Sequence, residues 1–148
     1  MGKVTETIKL TSLFDSAKCK EVEAVIDTGA TLPVLRQELV DELNLKKVRD
    51  VRVKYANSSV EIREVYGAVT AELKGRVGIF EALAEAPGSQ PLVGQVVLES
   101  PDLTVDPRTR TVTPNPRSPE TPMVELLFHY RALRTAGSMW RASPGMHQ

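Results

Sequence analysis

Asp27-Thr28-Gly29-Ala30 is the stretch of this sequence best equipped for chemistry. It follows the apolar run Ala24-Val25-Ile26 and precedes Thr31-Leu32-Pro33-Val34-Leu35. An apolar strand delivers an aspartate into a tight turn, and the chain leaves again as an apolar strand. That pattern predicts a buried turn. A carboxylate is costly there unless it is hydrogen-bonded or shares its site with a second acid. A turn aspartate that caps its own loop would account for Asp27 alone. A second apolar element, Leu92-Val93-Gly94, introduced by Pro91, could alone be any core strand, and it is the pairing of the two motifs that favours a site.

The elements that must position these residues read mainly as short strands. Val4 to Leu13 suits a first strand, Asp15-Ser16-Ala17 a turn, and Glu21 to Ile26 the strand that carries Asp27. Val51, Val53 and Tyr55 alternate with Arg52 and Lys54, the period of a half-buried strand. Ala56-Asn57-Ser58-Ser59 turns, and Val60 and Ile62 resume the alternation, which predicts a β-hairpin. Val69, Ala71 and Leu73 form a further strand, Lys74-Gly75 turns, and Val77 to Ala84 returns. Arg36 to Leu45 places Leu39, Val40 and Leu43 on one helical face. Pro107 to Arg110 reads as a turn between Leu103–Val105 and Thr111–Thr113. Strands at such spacing indicate an all-β sandwich or barrel with one or two short helices.

Asp-Thr-Gly-Ala at a strand end, with a later apolar-apolar-Gly strand, resembles the retropepsin-like aspartic proteases, most closely the bacterial members. The resemblance covers about residues 3 to 113. It implies a closed β-barrel and a peptidase whose two catalytic aspartates lie close together. Two carboxylates at such range cannot both ionise cheaply, so one carries a proton. One Asp-Thr-Gly in 148 residues is too few for a two-lobed enzyme, so the second aspartate would come from a second chain. A C2 homodimer would bring the two copies of Asp27 to its axis.

The same resemblance assigns the neighbours. Asp27, Thr28 and Gly29 would be catalytic, with the Thr28 hydroxyl tying the two loops together across the axis. Ala30, the hairpin tip Ala56, Asn57, Ser58 and Ser59, and Leu92, Val93 and Gly94 would bind substrate. The hairpin stands where the family carries its flap, yet its tip has no glycine. Asn57 can adopt the left-handed conformation and is expected to make the turn. An acid–arginine pair at the retroviral dimer interface is absent, with Thr31 and Leu32 in place of the acid and Gln95 in place of the arginine. The hairpin around Leu103 to Thr113 is the expected substitute contact. Ala30 cannot hydrogen-bond the carboxylate, so activity is expected to peak at about pH 5–6 rather than about 2–3.

Composition narrows the alternatives. Lysine plus arginine equals aspartate plus glutamate at 19 each, which lacks the basic excess of a nucleic-acid binder. Aromatics make up 5%, so the core must be aliphatic. Cys19 is the single cysteine, which rules out an internal disulfide and allows a reducing compartment. His129 and His147 have no paired ligand, and neither metal nor cofactor is expected. No apolar run approaches the roughly 18 residues of a membrane helix, and the first residues lack a signal core. The expectation is a cytoplasmic protein, with no membrane or nucleic-acid partner.

After Thr113 the composition changes. Pro114, Pro116, Pro119 and Pro122 favour an extended linker. Met123 to Leu133 has the spacing of a short amphipathic helix. The expected division is therefore a protease-like domain over 1–113 and a Pro-rich tail over 114–148. The first reading of function is a homodimeric aspartic endopeptidase acting on extended, largely apolar peptide segments. The alternative is the same fold kept as a peptide-binding or dimerisation module, and a third reading is a regulatory domain whose Pro-rich tail recruits a partner.

Overall fold

The computed structural model describes residues 3–126. Strands β1 (Thr5–Ser12) and β2 (Asp15–Ile26) form an antiparallel hairpin with Ser12 opposite Asp15. The turn is therefore Leu13-Phe14 rather than Asp15-Ser16-Ala17, and β2 begins at Asp15, six residues before the expected Glu21. Leu13 N–H donates to the Ala68 carbonyl at 3.0 Å, which fixes this apolar turn against the neighbouring strand.

After the Asp27 loop come β3 (Val34–Arg36) and helix α1 (Gln37–Glu42). The helix is shorter than its apolar face suggested, and its end has a local cause. Asn44 adopts a left-handed φ of 52°. Asn44 N–H then bonds the Asp41 carbonyl, and Leu45 N–H reaches back to Val40 at 3.1 Å. That pair of bonds is a Schellman stop, which asparagine tolerates better than most residues. Leu39, Val40 and Leu43 are buried as their spacing implied.

Strands β4 (Lys46–Lys54) and β5 (Val60–Leu73) form the long hairpin, and β6 (Arg76–Glu85) returns from β5. β5 is one strand of 14 residues, not two. Its first half pairs with β4, and its second half pairs with β1. It also pairs with β6 across a register shift between Tyr66 and Val69, where the strand bends. Two further short elements follow: β7 (Leu92–Val93) and helix α2 (Gln95–Glu99). Helix α2 was not legible as a separate element. A final hairpin joins β8 (Leu103–Asp106) to β9 (Thr111–Pro114), as the Pro107–Arg110 turn implied.

The main sheet runs β1-β2-β7-β3-β6-β5-β4, and the β1–β5 pairing closes it into a ring. This is the all-β barrel expected. Its interior is aliphatic: Leu10, Val69, Leu73, Val93, Val97 and Val112 are among the most deeply buried side chains.

Residues 115–123 fold back onto the domain. Arg76, 7% exposed, donates to the carbonyls of Pro101 at 3.1 Å and Asp102 at 2.8 Å, and to that of Ser118. The Asp102 carboxylate accepts from Asn115 Nδ2 at 3.0 Å, from Ser118 Oγ, and from Met123 N–H at 3.0 Å. These donors, led by Ser118, hold its pKa down at about 2. Residues 123–126 are irregular, and the remainder of the expected 123–133 helix lies outside the described residues.

Candidate active site

The Asp27 loop is assembled from both ends of the sequence by backbone hydrogen bonding. β7 lies between β2 and β3, parallel to the first and antiparallel to the second. Val25 N–H bonds the Pro91 carbonyl at 2.9 Å, and Asp27 N–H bonds the Val93 carbonyl at 3.0 Å. From the other side, Gln95 N–H reaches the Ala30 carbonyl at 2.7 Å and Val96 N–H the Thr31 carbonyl at 3.1 Å. The aspartate loop is thus held at its entry and at its exit by one contiguous stretch, 91–96. This gives Leu92-Val93-Gly94 a structural meaning beyond its apolar character.

Gly94 is the close-contact point of this arrangement. A Cβ there would lie 2.6 Å from the carbonyl carbon and nearer still to the oxygen of Leu32, and 2.7 Å from the Thr31 oxygen. All three are backbone atoms that cannot swing aside. Its φ of −84° suits any residue, so the requirement is space rather than conformation.

Within the loop, Asp27 Oδ1 accepts the Gly29 N–H at 2.9 Å, and Ala30 N–H bonds the Asp27 carbonyl at 3.1 Å. A Cβ on Gly29 would come within 3.1 Å of that same Oδ1. Asp27, Thr28 and Gly29 are exposed in the single chain, and Ala30 is half-buried. The sequence pattern predicted a buried turn, and that is corrected here. Apolar β2 and β3 are buried on either side, but the loop emerges from the barrel surface between them. Among the described residues, Asp27 makes no ion pair and no second carboxylate partners it.

The long hairpin packs beside the segments that flank the aspartate loop. Val51 and Val53 of β4 turn inward and pack against buried Val34, Val65 and Leu83, together with half-buried Leu32 and Leu92. Leu32 leaves the Asp27 loop, and Leu92 enters the segment that braces it. An aliphatic wall therefore runs from the aspartate loop to the underside of the hairpin. The sequence identified Leu92 in this wall but not Leu32, Val34 or Leu83, because the contact joins five separate strands.

At the hairpin tip, Ala56, Asn57, Ser58 and Ser59 are all exposed. Ser58, with φ 70°, takes the left-handed position expected of Asn57. Asn57 acts through its side chain, its Oδ1 accepting from Ser59 N–H at 3.0 Å and Ser59 Oγ at 2.7 Å. That side-chain bonding is why asparagine precedes the strained residue rather than occupying it. Next to the tip, Tyr55 donates its hydroxyl to Glu85 Oε2 at 2.6 Å and accepts from Arg63 Nε at 3.0 Å. These residues lie 30 and 8 positions apart in the chain, so no local spacing could have announced them.

Gln95 turns along its own helix, its Nε2 donating to Glu99 Oε1 at 2.5 Å. Leu103 and Val112 of the last hairpin are buried within the chain, while Thr104 and Thr111 are partly exposed. No group of described histidine, cysteine or acidic residues is arranged to hold a metal. No helix among the described residues is long and apolar enough to cross a membrane.

Residues 14–95, more than half of the chain, match the model of a family described as aspartyl protease. The matched span begins at the β1–β2 turn and ends just past Gly94, so it contains the aspartate loop, the long hairpin and the bracing strand. No curated protein matches this chain.

Proposed function

The chain belongs to the aspartyl protease family, and from that premise we propose that it is a homodimeric aspartic endopeptidase with Asp27 of each subunit forming the catalytic pair. The observation that carries this reading is the Asp27 loop itself. An aspartate stands exposed at the surface, its backbone clamped by residues 91–96, beside an aliphatic wall that continues to the long hairpin.

In the proposed reaction, one carboxylate of the pair is ionised and the other protonated. The ionised one takes a proton from a water lying between them, and the water oxygen attacks the scissile carbonyl carbon. The protonated one donates to the carbonyl oxygen as it gains charge. The tetrahedral intermediate then collapses, a proton passes to the leaving nitrogen, and the C–N bond breaks. No covalent enzyme intermediate forms.

Thr28 is assigned to the contact between the two loops, and Gly29 to keeping the space beside Asp27 Oδ1 clear. Ala30, the tip residues 56–59 and Leu92-Val93-Gly94 are assigned to the walls and roof of the cleft. Leu32, Val51, Val53 and Leu92 favour a substrate with aliphatic side chains lying as an extended strand. Because the pair needs two chains, activity per molecule would fall on dilution.

The test is hydrolysis of a mixed peptide library from pH 3 to 8 by the wild type and Asp27→Asn, with assembly followed by sedimentation. Cleavage by the wild-type dimer, lost in the variant, is expected. Peptide binding without cleavage by a confirmed dimer would move the assignment to a binding module on the same fold.

A further inference from the structure

We propose that Tyr55, Arg63 and Glu85 are positioning residues that fasten the long hairpin to the wall of the cleft, so that it opens by releasing this cluster rather than by bending at its tip. The inference rests on the reading of that hairpin as the flap over Asp27.

The tip is poorly suited to bending. It contains no glycine. Ser58 N–H bonds the Tyr55 carbonyl and Tyr55 N–H bonds the Ser59 carbonyl, both at 2.9 Å. Asn57 adds two further bonds to Ser59 through its side chain. Four hydrogen bonds within five residues make the tip a closed unit that moves as one piece.

The far end of the hairpin is joined to the barrel mainly by polar contacts. The aliphatic contacts of Val51 and Val53 lie further from the tip. Beyond them, Tyr55 extends the same inward-facing row and meets Glu85, two residues past Leu83 on β6. Arg63, on the returning strand, donates to the Tyr55 hydroxyl and lies 3.3 Å from Glu85 Oε1. Arg63 also pairs with Glu61 at 3.2 Å, which aims the guanidinium along the hairpin. One carboxylate on the barrel therefore takes a hydrogen bond from one side of the hairpin and an ion pair from the other.

The cluster is sheltered enough to matter. The Glu85 side chain is 17% exposed and that of Arg63 30%. A hydrogen bond to a carboxylate in such a place is stronger than a neutral one and less screened than a surface ion pair. Burial, and then the Glu85 acceptor, push the Tyr55 phenol above its ordinary range, so it remains a donor throughout the working pH. Among the described residues, the other ion pair between hairpin and barrel, Arg49–Glu81, sits at the hairpin's base and is more exposed. It cannot set the position of the tip.

The experiment is amide hydrogen exchange by NMR in the full chain, reading Tyr55, Ser58 and Ser59 against the β5–β6 amides of the barrel. Tyr55→Phe and Glu85→Ala are expected to speed exchange at the hairpin end about threefold to tenfold, with the barrel unchanged. Glu85→Gln keeps an acceptor oxygen and is expected to recover much of the protection. On a cleaved peptide, Tyr55→Phe is expected to raise KM by a similar factor with kcat unchanged or higher. Unaltered hairpin exchange in both Tyr55→Phe and Glu85→Ala would overturn the proposal. Equal acceleration in the barrel would also overturn it, since the residues would then serve general stability. The exchange readout needs no catalysis, so failure of the protease assignment and failure of this inference give different results.

Discussion

Replacing Gly94 by alanine adds a single methyl group at the place where the bracing segment touches the aspartate loop. The new Cβ would sit 2.6 Å from the Leu32 carbonyl carbon, against about 3.5 Å for an ordinary carbon–carbon contact. Backbone must retreat by about 1 Å on one side or the other. The bonds from Gln95 N–H to Ala30 and from Val96 N–H to Thr31 span this very contact, so retreat stretches both. Overpacking costs about 1–3 kcal/mol, and two weakened hydrogen bonds add about 1 kcal/mol each. Alanine fits the φ of −84°, so stiffening the unfolded chain returns about 0.4–1 kcal/mol. The expected net loss is about 2–5 kcal/mol, or a fall in Tm of about 10 °C for a domain of this size. Urea unfolding at one fixed protein concentration measures it, because dimerisation would make stability concentration-dependent. Peptidase activity should fall further than stability alone requires, since the displaced loop carries Asp27. A loss below about 0.5 kcal/mol, within the range of neutral surface changes, would refute the close-packing argument.

Two more outcomes follow from particular residues. Asp102 has a folded pKa of about 2 against 3.8 ordinarily, so the unfolded chain takes up the proton first as pH falls. Its contribution is complete above about pH 4 and is lost between about pH 4 and 2. The urea midpoint of the wild type should drop across that window, and Asp102→Asn should flatten the drop; parallel curves would contradict the assignment. Ser58→Gly relieves a left-handed serine with φ 70° and should leave the fold unchanged or more stable by up to about 1 kcal/mol. A loss of stability in that variant would mean the serine side chain holds the turn.

Strand-forming segments were legible because they alternate or run apolar over short spans. Val51-Arg52-Val53-Lys54-Tyr55 announced its half-buried face, and Pro107–Arg110 announced its hairpin. The motif pair Asp27-Thr28-Gly29 and Leu92-Val93-Gly94 was legible as a pattern, and the structure supplies the physics: β7 inserts between β2 and β3. Three features were not legible for identifiable reasons. The Leu13-Phe14 turn lacks the usual turn residues and is held by a backbone bond to Ala68, 55 residues away, which no local pattern encodes. Exposure of Asp27 depends on where the loop meets the barrel surface, which flanking apolar residues do not encode. Arg76, Asp102, Asn115 and Ser118 join three separate stretches, so the Pro-rich segment read as a linker although its first part is bonded to the domain.

In the proposed enzyme, one catalytic site takes an aspartate from each of two chains. Mixing wild type with Asp27→Asn at constant total concentration, after subunit exchange, tests this. If both copies of Asp27 are required, activity follows the square of the wild-type fraction, so an equal mixture retains about one quarter of the wild-type rate. An equal mixture retaining about one half would show that a single chain suffices, and would contradict the account.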